Sequence, residues 1–176
     1  MTCDFDRDFA YSLGERQRVD EELLIQAIPN CVSVRKTDTA LDKKGIDYIA
    51  TLDGGTELYI DAKTRRKGAL LMGEPLLALE VWSVCPDENH AGKAGWTCSR
   101  TTDVDMILYT GEDWDRFYLV PFQQLRMAFQ NNYWDWKEIY KPRFQNNRSW
   151  QSMAMFVPAS IVLNAIMEQM SGEIYG

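Results

Sequence analysis

The sequence predicts an α+β domain, or an α/β domain built on a mixed sheet. Three observations carry that reading. Apolar residues recur at helical spacing between about residues 8 and 28. Two alternating runs flank Asp53-Gly54-Gly55, the composition of a hairpin turn. Leu76 to Val84 is nearly continuous apolar sequence, as a strand buried on both faces should be. With 176 residues, 45% of them hydrophobic, the chain reads as one domain over 1–176 with a real core, and this composition argues against disorder.

The elements follow in order. In the first helix Leu13, Gln17, Glu21, Leu24 and Ile28 share one face, and Pro29-Asn30 ends it. Glu21 is a carboxylate at the edge of that stripe. It either borders the core and reaches water or helps hold water beside a metal. Residues 31–36 read as a short strand and 37–44 as a polar loop. The hairpin spans 45–64, and 65–74 is a loop with two glycines. Glu80 interrupts the apolar run that follows. A charge there must be paired, be protonated or serve a site. If its strand lies beside the hairpin, Glu80 reaches the charges described below. Residues 85–100 form a polar loop with Trp96. A second hairpin follows over 104–109 and 116–120, and Pro121 suits the first turn of a helix. Residues 131–150 read as irregular. Their Trp134, Trp136 and Trp150 serve either as rim packing or as stacking surfaces for bases. The last helix runs from about 158 to 170, with its methionines as core filler.

The central hairpin carries the chemistry. With Asp53-Gly54-Gly55 as the loop, Leu52 faces Thr56, and counting back sets Asp47 opposite Asp61. Facing residues of paired strands point to one side. Lys63, two positions after Asp61, shares it, while Leu58, Ile60 and Ala62 face the core. Two carboxylates this close repel each other unless one takes up a proton or a cation lies between them. Oxygen donors with room for water favour magnesium or manganese over zinc. A lysine beside such an ion orients or deprotonates a water, or stabilises charge on a phosphate. A surface hairpin with an ordinary cross-strand ion pair is the other reading of the same residues.

Composition narrows the classes further. No apolar run is long enough to span a membrane. The acidic start MTCDFDRDFAYSLG lacks the form of a signal peptide, so a cytoplasmic protein is expected. Cys3, Cys31, Cys85 and Cys98 form no C-x-x-C pair, and free thiols are expected. The net charge of −7 argues against broad nonspecific nucleic-acid binding. Yet Lys63-Thr64-Arg65-Arg66-Lys67 places four cations in five residues, and Lys93 and Arg100 follow in the next long loop. A basic rim of Arg65, Arg66, Lys67, Lys93 and Arg100 around an acidic metal site suits a nucleic-acid substrate. A solvated loop is the alternative.

The motif Lys44-Gly45-Ile46-Asp47 followed by Tyr59-Ile60-Asp61-Ala62-Lys63 resembles the PD-(D/E)XK nuclease superfamily, the fold of many restriction enzymes and Holliday junction resolvases. Gly95-Trp96, Thr102-Asp103, Ile107-Leu108-Tyr109, Leu119-Val120-Pro121-Phe122, Leu125-Arg126 and Phe156-Val157-Pro158 resemble small phage and prophage members, so the likeness spans most of the chain. It implies a restriction-endonuclease-like fold, a mixed sheet of four or more strands flanked by helices. It implies Asp47, Asp61 and the Ala62 carbonyl as ligands of magnesium or manganese, with Lys63 assisting the attacking water. Glu21 and Glu80 would be helpers. The activity implied is hydrolysis of phosphodiester bonds, with DNA as partner and a homodimer as a common assembly. The proline of the family name is missing before Asp47. A second reading stays open on the acidic charge. It is a phage or prophage binding protein without chemistry on the same scaffold, which inhibits a host defence protein.

Overall fold

A computed structural model describes residues 21–38, 41, 44–99, 101–147 and 149–174. Along them run α1 (Glu21–Ala27), β1 (Cys31–Lys36), β2 (Tyr48–Leu52), β3 (Glu57–Arg65), β4 (Leu70–Leu71), β5 (Glu74–Val84), β6 (Lys93–Ala94), β7 (Met106–Gly111), β8 (Tyr118–Pro121), α2 (Phe122–Tyr140), β9 (Arg143–Asn146), β10 (Gln151–Pro158) and α3 (Ala159–Ile174). The fold is mixed α/β with two multi-stranded sheets, one of them mixed, as the sequence predicts for its class. The described residues fall into two compact units, one of 21–68 and 101–122, the other of 69–99 and 123–174. Among the described residues no helix is long and apolar enough to cross a membrane.

The first unit is the mixed sheet, in the order β1-β2-β3-β7-β8. Its pairs are antiparallel except β3 with β7, which is parallel. The Asp53-Gly54-Gly55 turn joins β2 to β3 as expected. Gly54 and Gly55 adopt φ of 93° and 85°, a region that side chains disfavour. The Leu52 N–H donates to the Thr56 carbonyl at 2.8 Å, so the hairpin has the register read from the sequence.

Alternation then divides the sheet. Tyr48, Ala50, Ile60 and Leu108 point to one face and form a buried core with Val34 and with Leu24 and Ile28 of the α1 segment. Leu58 and Ala62 border the same core. The left-handed Asn30, φ 58°, follows the helix where Pro29-Asn30 was expected to stop it. Leu13, Gln17 and the rest of the predicted helix before Glu21 lie outside the described residues.

In the second unit a sheet runs β4-β5-β10-β9, with β6 also on β5. Here the structure corrects several expectations. The apolar run of β5 is buried on one face only. Leu77, Leu79 and Val81 are inside, and the residues between them are half-buried. Its neighbours are β4, β6 and β10, not the central hairpin. The predicted loop 65–74 contains β4 and the end of β3. Residues 131–140 are helical, because α2 continues the stripe Leu125, Ala128, Phe129 to a buried Trp136. Trp134 on the other side is 70% exposed. Pro121 closes β8, and Phe122 is the first helical residue. In α3 Val162, Ala165 and Ile166 are buried, whereas Met167 and Met170 are exposed and fill no core.

Candidate active site

Every second residue of β3 leaves the core face. Asp61, Lys63 and Arg65 therefore stand in a column on the opposite side of the sheet. The Lys63 Nζ lies 2.7 Å from Asp61 Oδ2. Asp61 is only 3% exposed, so its charge is withdrawn from water and is compensated by this ammonium.

Asp47 arrives by a different route. Regular pairing of β2 with β3 ends at Tyr48↔Ile60, one residue short of the Asp47–Asp61 apposition read from the sequence. There the chain veers from β3 towards the continuation of β1. The Thr37 hydroxyl donates to the Ile46 carbonyl, and the Thr37 N–H to the Asp47 carbonyl at 3.0 Å. The Asp47 N–H still donates to the Ile60 carbonyl at 2.8 Å. The vacated ladder position is filled by a side chain: the Ala62 N–H donates to Asp47 Oδ2 at 2.7 Å. The Asp47 carboxylate is thus bound to the amide of the residue between Asp61 and Lys63. Gly45 passes the same place. A Cβ there would lie 3.9 Å from Asp61 Oδ2, and its φ of 81° suits glycine.

The neighbouring strand adds a residue that sequence reasoning missed. The parallel register sets Ile107 beside Asp61, Tyr109 beside Lys63 and Gly111 beside Arg65. Tyr109 is completely buried. Burial, and then the negative charge of Asp61, push its phenol well above the usual range, while Arg65 acts the other way. A neutral hydroxyl is therefore kept between the two ends of the column. The sequence sets Tyr109 in a strand but carries no sign that it stands beside Lys63, because β7 reaches β3 only through a long crossover connection.

Gly111 is required for a plain steric reason. A Cβ there would meet the Trp114 ring at 2.5 Å. Gly111→Ala is expected to cost about 1–3 kcal/mol through overpacking. The check is a lowered urea midpoint with an unchanged m-value, and unaltered stability would mean that Trp114 moves freely.

Arg66 and Lys67 are exposed just beyond the end of β3. Glu21 is exposed at the start of α1, which packs on the opposite face of the sheet from Asp61. Glu80 and Lys93 belong to the second unit. Glu80 sits in a strand that does not pair with the hairpin, which corrects the arrangement that would have carried it to Asp61. Its Oε2 accepts from the Ser83 hydroxyl at 2.7 Å and from the Trp96 N–H at 3.2 Å, so hydrogen bonds in its own unit satisfy it. Arg100 lies outside the described residues.

The oxygens of this hairpin that could hold a metal are those of Asp47, Asp61 and the Ala62 carbonyl. This set is all oxygen and short of a full coordination shell, which fits a hard ion that keeps several waters. Among the described residues no three His, Cys, Asp or Glu side chains gather to hold a metal, so this set needs the main-chain oxygen as its third member. Cys31, Cys85 and Cys98 are free thiols.

No known protein family, curated protein or solved structure matches the chain.

Proposed function

We propose that the protein is a metal-dependent nuclease that hydrolyses phosphodiester bonds, with DNA as its substrate. One observation carries this reading: a buried Asp61 paired with Lys63 at 2.7 Å, and the Asp47 carboxylate bound to the amide between them at 2.7 Å. Asp47, Asp61 and the Ala62 carbonyl would hold magnesium or manganese. When bound, the ion would neutralise phosphate charge and acidify water. Lys63, whose side chain is 30% exposed, reaches from the rigid β3 strand towards solvent. There its ammonium orients a water for attack, or, once it has released its own proton to solvent, the neutral amine accepts one from that water. Asp61 fixes the ammonium in place. The Asp47 carboxylate, tied to the ladder, is preorganised and does not need to be drawn in from solvent.

The experiment is a cleavage assay with magnesium or manganese on duplex, single-stranded and branched DNA. Lys63→Arg is the informative variant. It keeps a cation opposite Asp61 but removes an amine able to give up its proton. Loss of general-base help lowers the rate by about 10²–10⁴-fold with stability preserved. Undiminished cutting by this variant would refute the role of Lys63.

The net charge of −7 favours a second reading, an acidic binding protein without chemistry. Failure of the wild-type protein to cut any of these substrates, together with a stable complex with a host protein, would select it.

A further inference from the structure

The cationic run after the acidic pair is not uniform in the structure. Arg65 is the third member of the Asp61–Lys63–Arg65 column, on a strand paired through Arg65↔Gly111. Thr64 points the other way, and its hydroxyl is 3.0 Å from that of Thr110. Arg66 and Lys67 are exposed beyond the strand. Arg65 is thus the one cation of this run, apart from Lys63, that the sheet itself sets on the Asp61 face.

We propose that Arg65 binds the phosphate next to the one that is cut, so that the substrate is a polynucleotide strand and not a lone phosphodiester. The proposal rests on the nuclease reading above. Two positions along a strand advance the side chains by about 7 Å. That step is close to the separation of neighbouring phosphates on a nucleic-acid chain. Lys63 is drawn back to Asp61 by its 2.7 Å ion pair, whereas Arg65 starts one step further on. Its main chain is fixed there, because the Glu112 N–H donates to the Arg65 carbonyl at 3.0 Å. Beside it, Gly111 contributes no side chain and the Trp114 ring closes the space above that glycine. A guanidinium engages a phosphate with two parallel hydrogen bonds, which a lysine does not. In a protein of net charge −7, a cation held on this face is also what a polyanion needs locally.

The test compares two substrates under the same magnesium or manganese conditions, an oligonucleotide with many phosphates and bis(p-nitrophenyl) phosphate with one. For Arg65→Ala, the ratio of kcat/KM on the oligonucleotide to kcat/KM on the small diester is expected to fall roughly 10- to 100-fold, the worth of a charge-assisted contact. Arg65→Lys should recover part of the ratio, since it keeps the charge without the fork. A loss of fold lowers both rates together and leaves the ratio alone. An unchanged ratio in Arg65→Ala, in a protein whose circular dichroism and urea midpoint match the wild type, overturns the proposal while the nuclease reading stands, and Arg65→Gln supplies the same comparison if Arg65→Ala does not fold. Hydrolysis of neither substrate by the wild-type protein removes the nuclease reading itself, and the assignment of Arg65 with it.

Discussion

Asp61→Asn is expected to remove magnesium-dependent cleavage, lowering the rate by about 10²–10³-fold or more while the fold persists. The substitution keeps size and shape at a position that is 3% exposed, so it opens no cavity. It removes one negative charge from the donor set and leaves a neutral amide that is a poor ligand for a hard cation. The structural cost is small because the stranded partner is not trapped. The Lys63 side chain is 30% exposed and its ammonium reaches water. The reverse change is different in kind. Lys63→Ala would leave the Asp61 carboxylate buried and uncompensated, at a cost of about 3–5 kcal/mol, and a dead enzyme would say little. Cleavage rates, manganese titration calorimetry and urea denaturation of Asp61→Asn together decide the matter. Wild-type rates and unchanged manganese binding in this variant would leave the site assignment without support.

Asp47 should behave in two distinguishable ways. Its carboxylate accepts the Ala62 N–H at 2.7 Å, in a position where a regular ladder would offer a main-chain carbonyl. Asp47→Asn keeps an oxygen to accept that bond but loses the charge. Its stability should stay near wild type, and cleavage should fall by about 10²-fold or more. Asp47→Ala loses both. It should show the same fall in cleavage and an added destabilisation of about 1–3 kcal/mol from the orphaned amide. Measured side by side, the pair separates holding the sheet together from holding a metal. Full activity in Asp47→Asn would make this residue a structural cap and nothing more.

Much of the hairpin was legible in the sequence for reasons that are local. Asp53-Gly54-Gly55 demands positive φ at both glycines, and the turn sets the register of the strands it joins. Register and the two-residue period then assign faces, so the separation of Ile60 from Asp61 and Lys63 needed nothing distant. Pro29-Asn30 ended α1 for an equally local reason, a residue at φ 58°. The errors arose where one-dimensional signals compete. LLALEVWSV reads as a strand buried on both faces, but an alternating burial pattern fits the same letters. QSMAMFVP is a strand in which buried Met153, Met155 and Val157 alternate with half-buried Ser152, Ala154 and Phe156, a pattern that the apolar Phe156 masks in the sequence. The stretch 131–140 reads as irregular because Trp136 is its one buried residue among many polar ones.

Glu80 marks the limit most clearly. A carboxylate in an apolar strand announces that something must satisfy it, but not what. The Ser83 hydroxyl and the Trp96 amide meet that demand, and Gly95 permits it, since a Cβ there would lie 2.3 Å from the Glu80 carbonyl oxygen.

By itself, then, the sequence determined which side chains share a strand face, where the chain turns, and that Asp61 and Lys63 stand on the same side of one hairpin strand. These follow from backbone sterics and a two-residue repeat, both properties of neighbours along the chain. The tertiary structure alone decided that β7 lies parallel beside β3, that Tyr109 therefore sits buried next to Lys63, and that β5 pairs away from the hairpin. Those outcomes depend on the summed burial of residues far apart in sequence, to which no single stretch of the chain holds the key.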